Sequence, residues 1–88
     1  GEYQVGIRFN ELVADYIREK KWHDSQELRE RPDGGVELRL KLSSLVEIQR
    51  WVLSWGGNAL VIEPTELLES IQVAARNLLR SGGHATAS

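Results

Sequence analysis

The chain has 88 residues, 41% of them apolar and 27% charged, with a formal net charge of −2 and no cysteine. That length suits one compact domain and the composition is that of a folded protein, which excludes a largely disordered chain. The missing cysteines exclude disulfides, thiolate metal sites and cysteine nucleophiles, and the negative balance argues against a domain that grips duplex DNA by its phosphates. No apolar run is long enough to span a membrane, and a cysteine-free chain fits a reducing compartment, so a cytoplasmic protein is expected. The absence of methionine, with Gly1 first, leads us to expect a piece of a longer protein.

Tyr3, Val5, Ile7 and Phe9 alternate with Gln4, Gly6 and Arg8, the period of a strand with one buried face. Asn10 offers a side-chain oxygen to cap a helix running from Glu11 to about Lys21, whose expected buried stripe is Leu12, Val13, Tyr16 and Ile17. The polar corner Trp22-His23-Asp24-Ser25-Gln26 leads to a second strand near Gln26–Arg31. Pro32-Asp33-Gly34-Gly35 is a hairpin turn, since proline and Asp-Gly suit tight reversals. Val36, Leu38, Leu40 and Leu42 then alternate with Glu37, Arg39 and Lys41 as a third strand. Ser43 or Ser44 can cap a helix carrying Leu45, Ile48, Val52 and Trp55, and Gly56-Gly57-Asn58 ends it. Ala59–Glu63 is a short apolar strand, and Pro64 opens a last helix with the stripe Leu67, Leu68, Ile71, Ala75, Leu78 and Leu79. Ser81-Gly82-Gly83 is expected to stop that helix, leaving 81–88 as a disordered tail and 1–80 as a single domain.

The order β-α-β-β-α-β with right-handed crossovers predicts an α+β, ferredoxin-like sandwich: a four-stranded antiparallel sheet, two helices on one face and a C-terminal helix. The fold by itself leaves function open.

Catalytic chemistry is poorly served. Nucleophilic catalysis needs a base beside the nucleophile, and the histidines are His23 and His84, the latter in the expected tail. Ser25 lies two residues from His23, which reads first as a polar pair at a strand entrance. Glu66 with Glu69 and Glu27 with Glu30 read as solvated faces, and no cluster of histidines and carboxylates has metal-ligand spacing. Gly34-Gly35 sits in a hairpin and Gly56-Gly57 follows a helix, so neither is a phosphate loop. No enzyme, cofactor or metal is expected. The sheet face opposite the helices should carry Gln4, Gly6, Arg8, Glu37, Arg39 and Lys41, which lacks the aromatic residues that stack bases on RNA-binding sheets. Its three cations Arg8, Arg39 and Lys41 are candidates for phosphates of a nucleotide or single strand, although a solvated sheet face has the same composition. Of the three tryptophans, Trp55 belongs to a core stripe, while Trp22 and Trp51 suit an interface.

Several segments taken together resemble a known family. They are Val5-Gly6-Ile7-Arg8-Phe9, the corner Trp22–Gln26, Asp33–Leu40, Ile48–Gly56 and Ala59–Pro64, with Leu67 beginning the final stripe. This set, from about Tyr3 to Leu79, looks like the C-terminal extension (WCX) domain of bacterial WYL-domain transcription regulators. The resemblance implies a parent protein with an N-terminal helix-turn-helix (HTH), a WYL domain and this domain last. It implies a regulatory and dimerisation role, with DNA held by the HTH, a homodimer as the assembly, and help in sensing a nucleotide or single-stranded nucleic-acid effector. The WYL motif itself is not in this chain, so the sensor proper lies elsewhere. The residues expected to meet a ligand or partner are Arg8, Trp22, His23, Ser25, Gln26, Arg39, Lys41 and Trp51. The alternative expectation is a nucleotide- or single-strand-binding module in its own right.

Overall fold

The structure, a computed structural model, describes the backbone of residues 2–87 and the side chains of residues 2–81. The elements in chain order are β1 (Tyr3–Phe9), α1 (Glu11–Glu19), β2 (Glu27–Glu30), β3 (Val36–Leu42), α2 (Val46–Ser54), a 3-10 turn (Gly56–Asn58), β4 (Ala59–Glu63) and α3 (Thr65–Ala87). They form an α+β fold with one four-stranded antiparallel sheet in the order β2-β3-β1-β4 and three α-helices.

Register explains which side chains are buried. Val5, Ile7 and Phe9 of β1 stand opposite Leu40, Leu38 and Val36 of β3, so their side chains share one face. Val61 of β4 joins them, and Val13, Ala14 and Ile17 of α1, Ile48 and Val52 of α2 and Leu67 of α3 close a single core over that face. Phe9, Ile7, Ile17, Leu38 and Leu67 are the largest fully buried side chains. Each contributes roughly 1.5–3 kcal/mol by leaving water.

Asn10 caps α1 as expected, its Oδ1 accepting the Leu12 N–H at 3.1 Å. The buried stripe is rotated from the expected one. Val13, Ala14 and Ile17 face the core, while Leu12 and Tyr16 are exposed. Small Ala14 in the centre of the contact lets the helix lie close to the sheet, and the stripe turns to follow it. α1 also stops at Glu19, where the Trp22 indole N–H donates to the Ile17 carbonyl at 3.1 Å and takes up one of its last free acceptors. Arg18 ties α1 to the β2–β3 hairpin by a fork on Glu30, Nε to Oε2 at 3.0 Å and Nη2 to Oε1 at 2.7 Å.

The hairpin turns at Gly34, whose φ of 88° lies in the left-handed region that glycine tolerates. Gly35 is buried, and a Cβ there would lie 2.3 Å from the Phe9 carbonyl oxygen, so the close approach of the hairpin to β1 requires glycine. Leu45, not Ser43 or Ser44, occupies the cap position of α2, although Ser44 Oγ accepts the Val46 N–H at 3.3 Å. Pro64 precedes α3, its carbonyl accepting the Leu67 and Leu68 N–H groups at 3.1 Å each. α3 holds the core through Leu67, with Leu68 and Ile71 packed beside it, whereas Leu78 and Leu79 are exposed instead of extending the buried stripe. Ser81 lies inside α3, so the helix does not end there; the side chains of the expected tail fall outside the described residues from 82 on.

Candidate functional site

The corner between α1 and β2 is built by its own side chains. Gln26 Oε1 accepts the backbone N–H of Trp22 and, at 3.2 Å, that of His23, while the Gln26 N–H returns to the His23 carbonyl at 3.1 Å. His23 Nδ1 accepts the Ser25 N–H at 3.1 Å and lies 2.7 Å from Ser25 Oγ. A backbone N–H can only donate, so Nδ1 is an acceptor and the neutral ring carries its proton on Nε2. Ser25 Oγ in turn accepts the Lys41 N–H at 2.9 Å and lies 3.3 Å from the Lys41 carbonyl. An oriented base is therefore within reach of Ser25, yet the hydroxyl is occupied in fastening the corner to β3.

The tryptophans come together. Trp22 and Trp51 have ring centroids 4.9 Å apart, Trp51 and Trp55 lie edge-on at 5.8 Å, and Phe9 meets Trp51 and Trp55 edge-on at 5.6 and 5.8 Å. Such tilted and edge-on contacts are favoured by the aromatic quadrupole. Trp55 Nε1 is buried with no hydrogen-bond partner among the described residues. In front of this cluster lies an open cleft of about 340 Å³, walled by Trp22, Trp51, Leu40, Leu42 and Ile48 and rimmed by His23, Ser44 and Glu47.

The opposite sheet face is charged and largely self-paired. Arg8 stands opposite Glu37, and Gly6 opposite both Arg39 and Glu63. Arg39 Nε donates to Glu37 Oε2 at 2.6 Å and its Nη1 to Glu63. Glu37 Oε1 lies 3.5 Å from Arg8 Nε and 3.8 Å from Arg31 Nη1. The Glu37 side chain is only 9% exposed, covered by these arginines. Hydrogen bonding from Arg39 holds the Glu37 carboxyl below the usual carboxylate range against the opposing effect of burial, and Arg8 adds a smaller pull. Glu63 and Glu37 raise Arg39 in the same way. Lys41 is exposed and makes no ion pair among the described residues.

The expected ligand residues thus divide. Trp22, His23 and Trp51 meet at the cleft, with Ser25 and Gln26 behind them as the fastening of the corner. Arg8 and Arg39 are across the sheet and engaged with carboxylates, so the expected row of three cations is reduced to one without an ion pair. Glu47, Ser44, Arg31 and Glu63 were not anticipated. Glu47 lies four residues before Trp51, a spacing that puts both on one side of a helix and could have signalled it. Arg31 and Glu63 reach their partners only through strand register, which no local pattern carries.

A family model described as the WCX domain matches residues 1–79. The chain belongs to the WCX domain family. Comparison with curated proteins gives no match. Membership associates this WCX domain with WYL-type regulators. No helix among its described residues is long and apolar enough to cross a membrane.

Proposed function

We propose that this WCX domain is the C-terminal regulatory and dimerisation domain of a bacterial WYL-type transcriptional regulator. In that role it assists effector sensing and so controls DNA binding by an HTH elsewhere in the same protein, in the cytoplasm. The observation that carries this reading is the family match over residues 1–79. Leu78 and Leu79 of α3, adjacent in sequence and both exposed, are apolar side chains that an assembly partner could cover, which supports an assembly role. The β-α-β-β-α-β order with strands arranged β2-β3-β1-β4 supports the ferredoxin-like description. A non-catalytic role is supported by Ser25, whose hydroxyl serves the Lys41 peptide, and by His23, whose Nδ1 is spent on the corner.

The test is deletion of this domain from the full-length regulator. Sedimentation velocity should show dimer formation weakened at least tenfold, and operator binding should no longer respond to effector. A deletion that leaves both the dimer and the effector response intact overturns the proposal.

A further inference from the structure

We propose that the cleft between the Trp22–Gln26 corner and α2 is a socket for an arginine side chain displayed by a partner polypeptide. The inference goes beyond the regulatory reading and does not rest on it. At about 340 Å³ the open cleft lies at the small end of ligand pockets, a scale that suits one inserted side chain better than a whole cofactor.

Charge selects the occupant. Of the described residues lining the cleft, Glu47 alone carries a formal charge when His23 is neutral. Glu47 is exposed and makes no ion pair among the described residues, not even with Arg50 three residues on. An ionised carboxylate accepts hydrogen bonds and gives none, so the lining calls for a donor that is also a cation.

The aromatic walls call for the same charge. Lys20 Nζ already lies 5.6 Å from the Trp22 ring centroid, a cation held by an indole. Trp51 is half-buried on the cleft wall and lies one turn along α2 from Glu47, the spacing at which side chains of a helix are neighbours. A guanidinium plane can stack on the Trp51 indole and give its N–H groups to Glu47. The aliphatic stem behind it covers Leu40, Leu42 and Ile48, walls that a bare metal ion would leave wet. A lysine covers the same walls but ends in a strongly hydrated point charge with no plane to stack.

N-acetylarginine amide titrated into the 88-residue chain at constant ionic strength, followed by the indole N–H signals in NMR, tests this. Saturable shifts at Trp51 and Trp22 are expected. Affinity should be about tenfold lower in Glu47→Gln, and about tenfold lower for N-acetylcitrulline amide, the neutral isostere. Glu47 is exposed, so its variant keeps the fold. The corresponding capped lysine should bind less tightly than the capped arginine. Free zwitterionic arginine separates the sources: binding no tighter than that of the capped form fits a residue within a polypeptide, and tighter binding assigns a free amino acid and overturns the partner. The inference is also overturned by the absence of saturable shifts, by unchanged affinity in Glu47→Gln, or by the citrulline or lysine compound binding as tightly.

Discussion

Glu37 lies in the middle of β3 with its carboxylate roofed by Arg8, Arg31 and Arg39. Because these partners favour its charged form, its pKa falls on folding. The stabilisation it brings is therefore complete above the unfolded value of about 4.3 and is lost as pH falls through the lower folded value. Glu37→Gln removes that charge and leaves Arg39 with a poorer acceptor. We expect a loss of about 1–2 kcal/mol near neutral pH, toward the low side because the guanidinium groups reach solvent. The urea midpoint should drop accordingly, and the acid decline below about pH 4 should become shallower. A variant whose acid decline matches the parent's would assign that decline to other carboxylates. Composition and alternation put Arg8, Glu37 and Arg39 on one sheet face, and the structure agrees. Their pairing was hidden because Arg31 and Glu63 arrive from a hairpin and from β4, distant in sequence.

At the scale of elements, α3 divides into an anchored and an unanchored part. Leu67 is fully buried, whereas Leu79 is 76% exposed. Leu67→Ala should cost about 2–5 kcal/mol through lost burial and a residual cavity, while Leu79→Ala should stay within about 0.5 kcal/mol in the isolated domain. Thermal denaturation of the two variants compares them, and equal losses would contradict the division. Strand and helix order was legible because alternation along β1 and β3 and the Asp-Gly turn are local signals. Which stripe of a helix is buried was less so. Leu12 and Tyr16 match the apolar period as well as Val13 and Ile17 do, and only the seat of Ala14 against the sheet chooses between them. In the same way Leu78 and Leu79 continue the helical stripe of Leu67, Leu68 and Ile71 and yet are exposed. The cleft was half legible: Trp22, His23 and Trp51 stood out by residue type, but their meeting depends on how the corner folds against α2.

For the whole molecule, a net charge of −2 and arginines paired on the sheet face leave no basic field for a polyanion to follow. The isolated chain should pass through heparin at 0.15 M salt without retention, and retention there would mean that exposed cations such as Lys41 hold a polyanion despite the negative balance. The sheet also has to manage its free borders. β2 has four residues against seven in β3, so part of the rim of β3 would lie open to another chain. Ser25 closes the next position, its hydroxyl accepting the Lys41 N–H at 2.9 Å. One side chain thereby denies a neighbouring molecule the first rung of strand addition. Ser25→Ala should lose about 0.5–1.5 kcal/mol with the Lys41 hydrogen bond and aggregate faster than the parent at temperatures where both remain folded, as light scattering would record. The residue weighed as a nucleophile beside His23 thus closes the free rim of β3 with its hydroxyl.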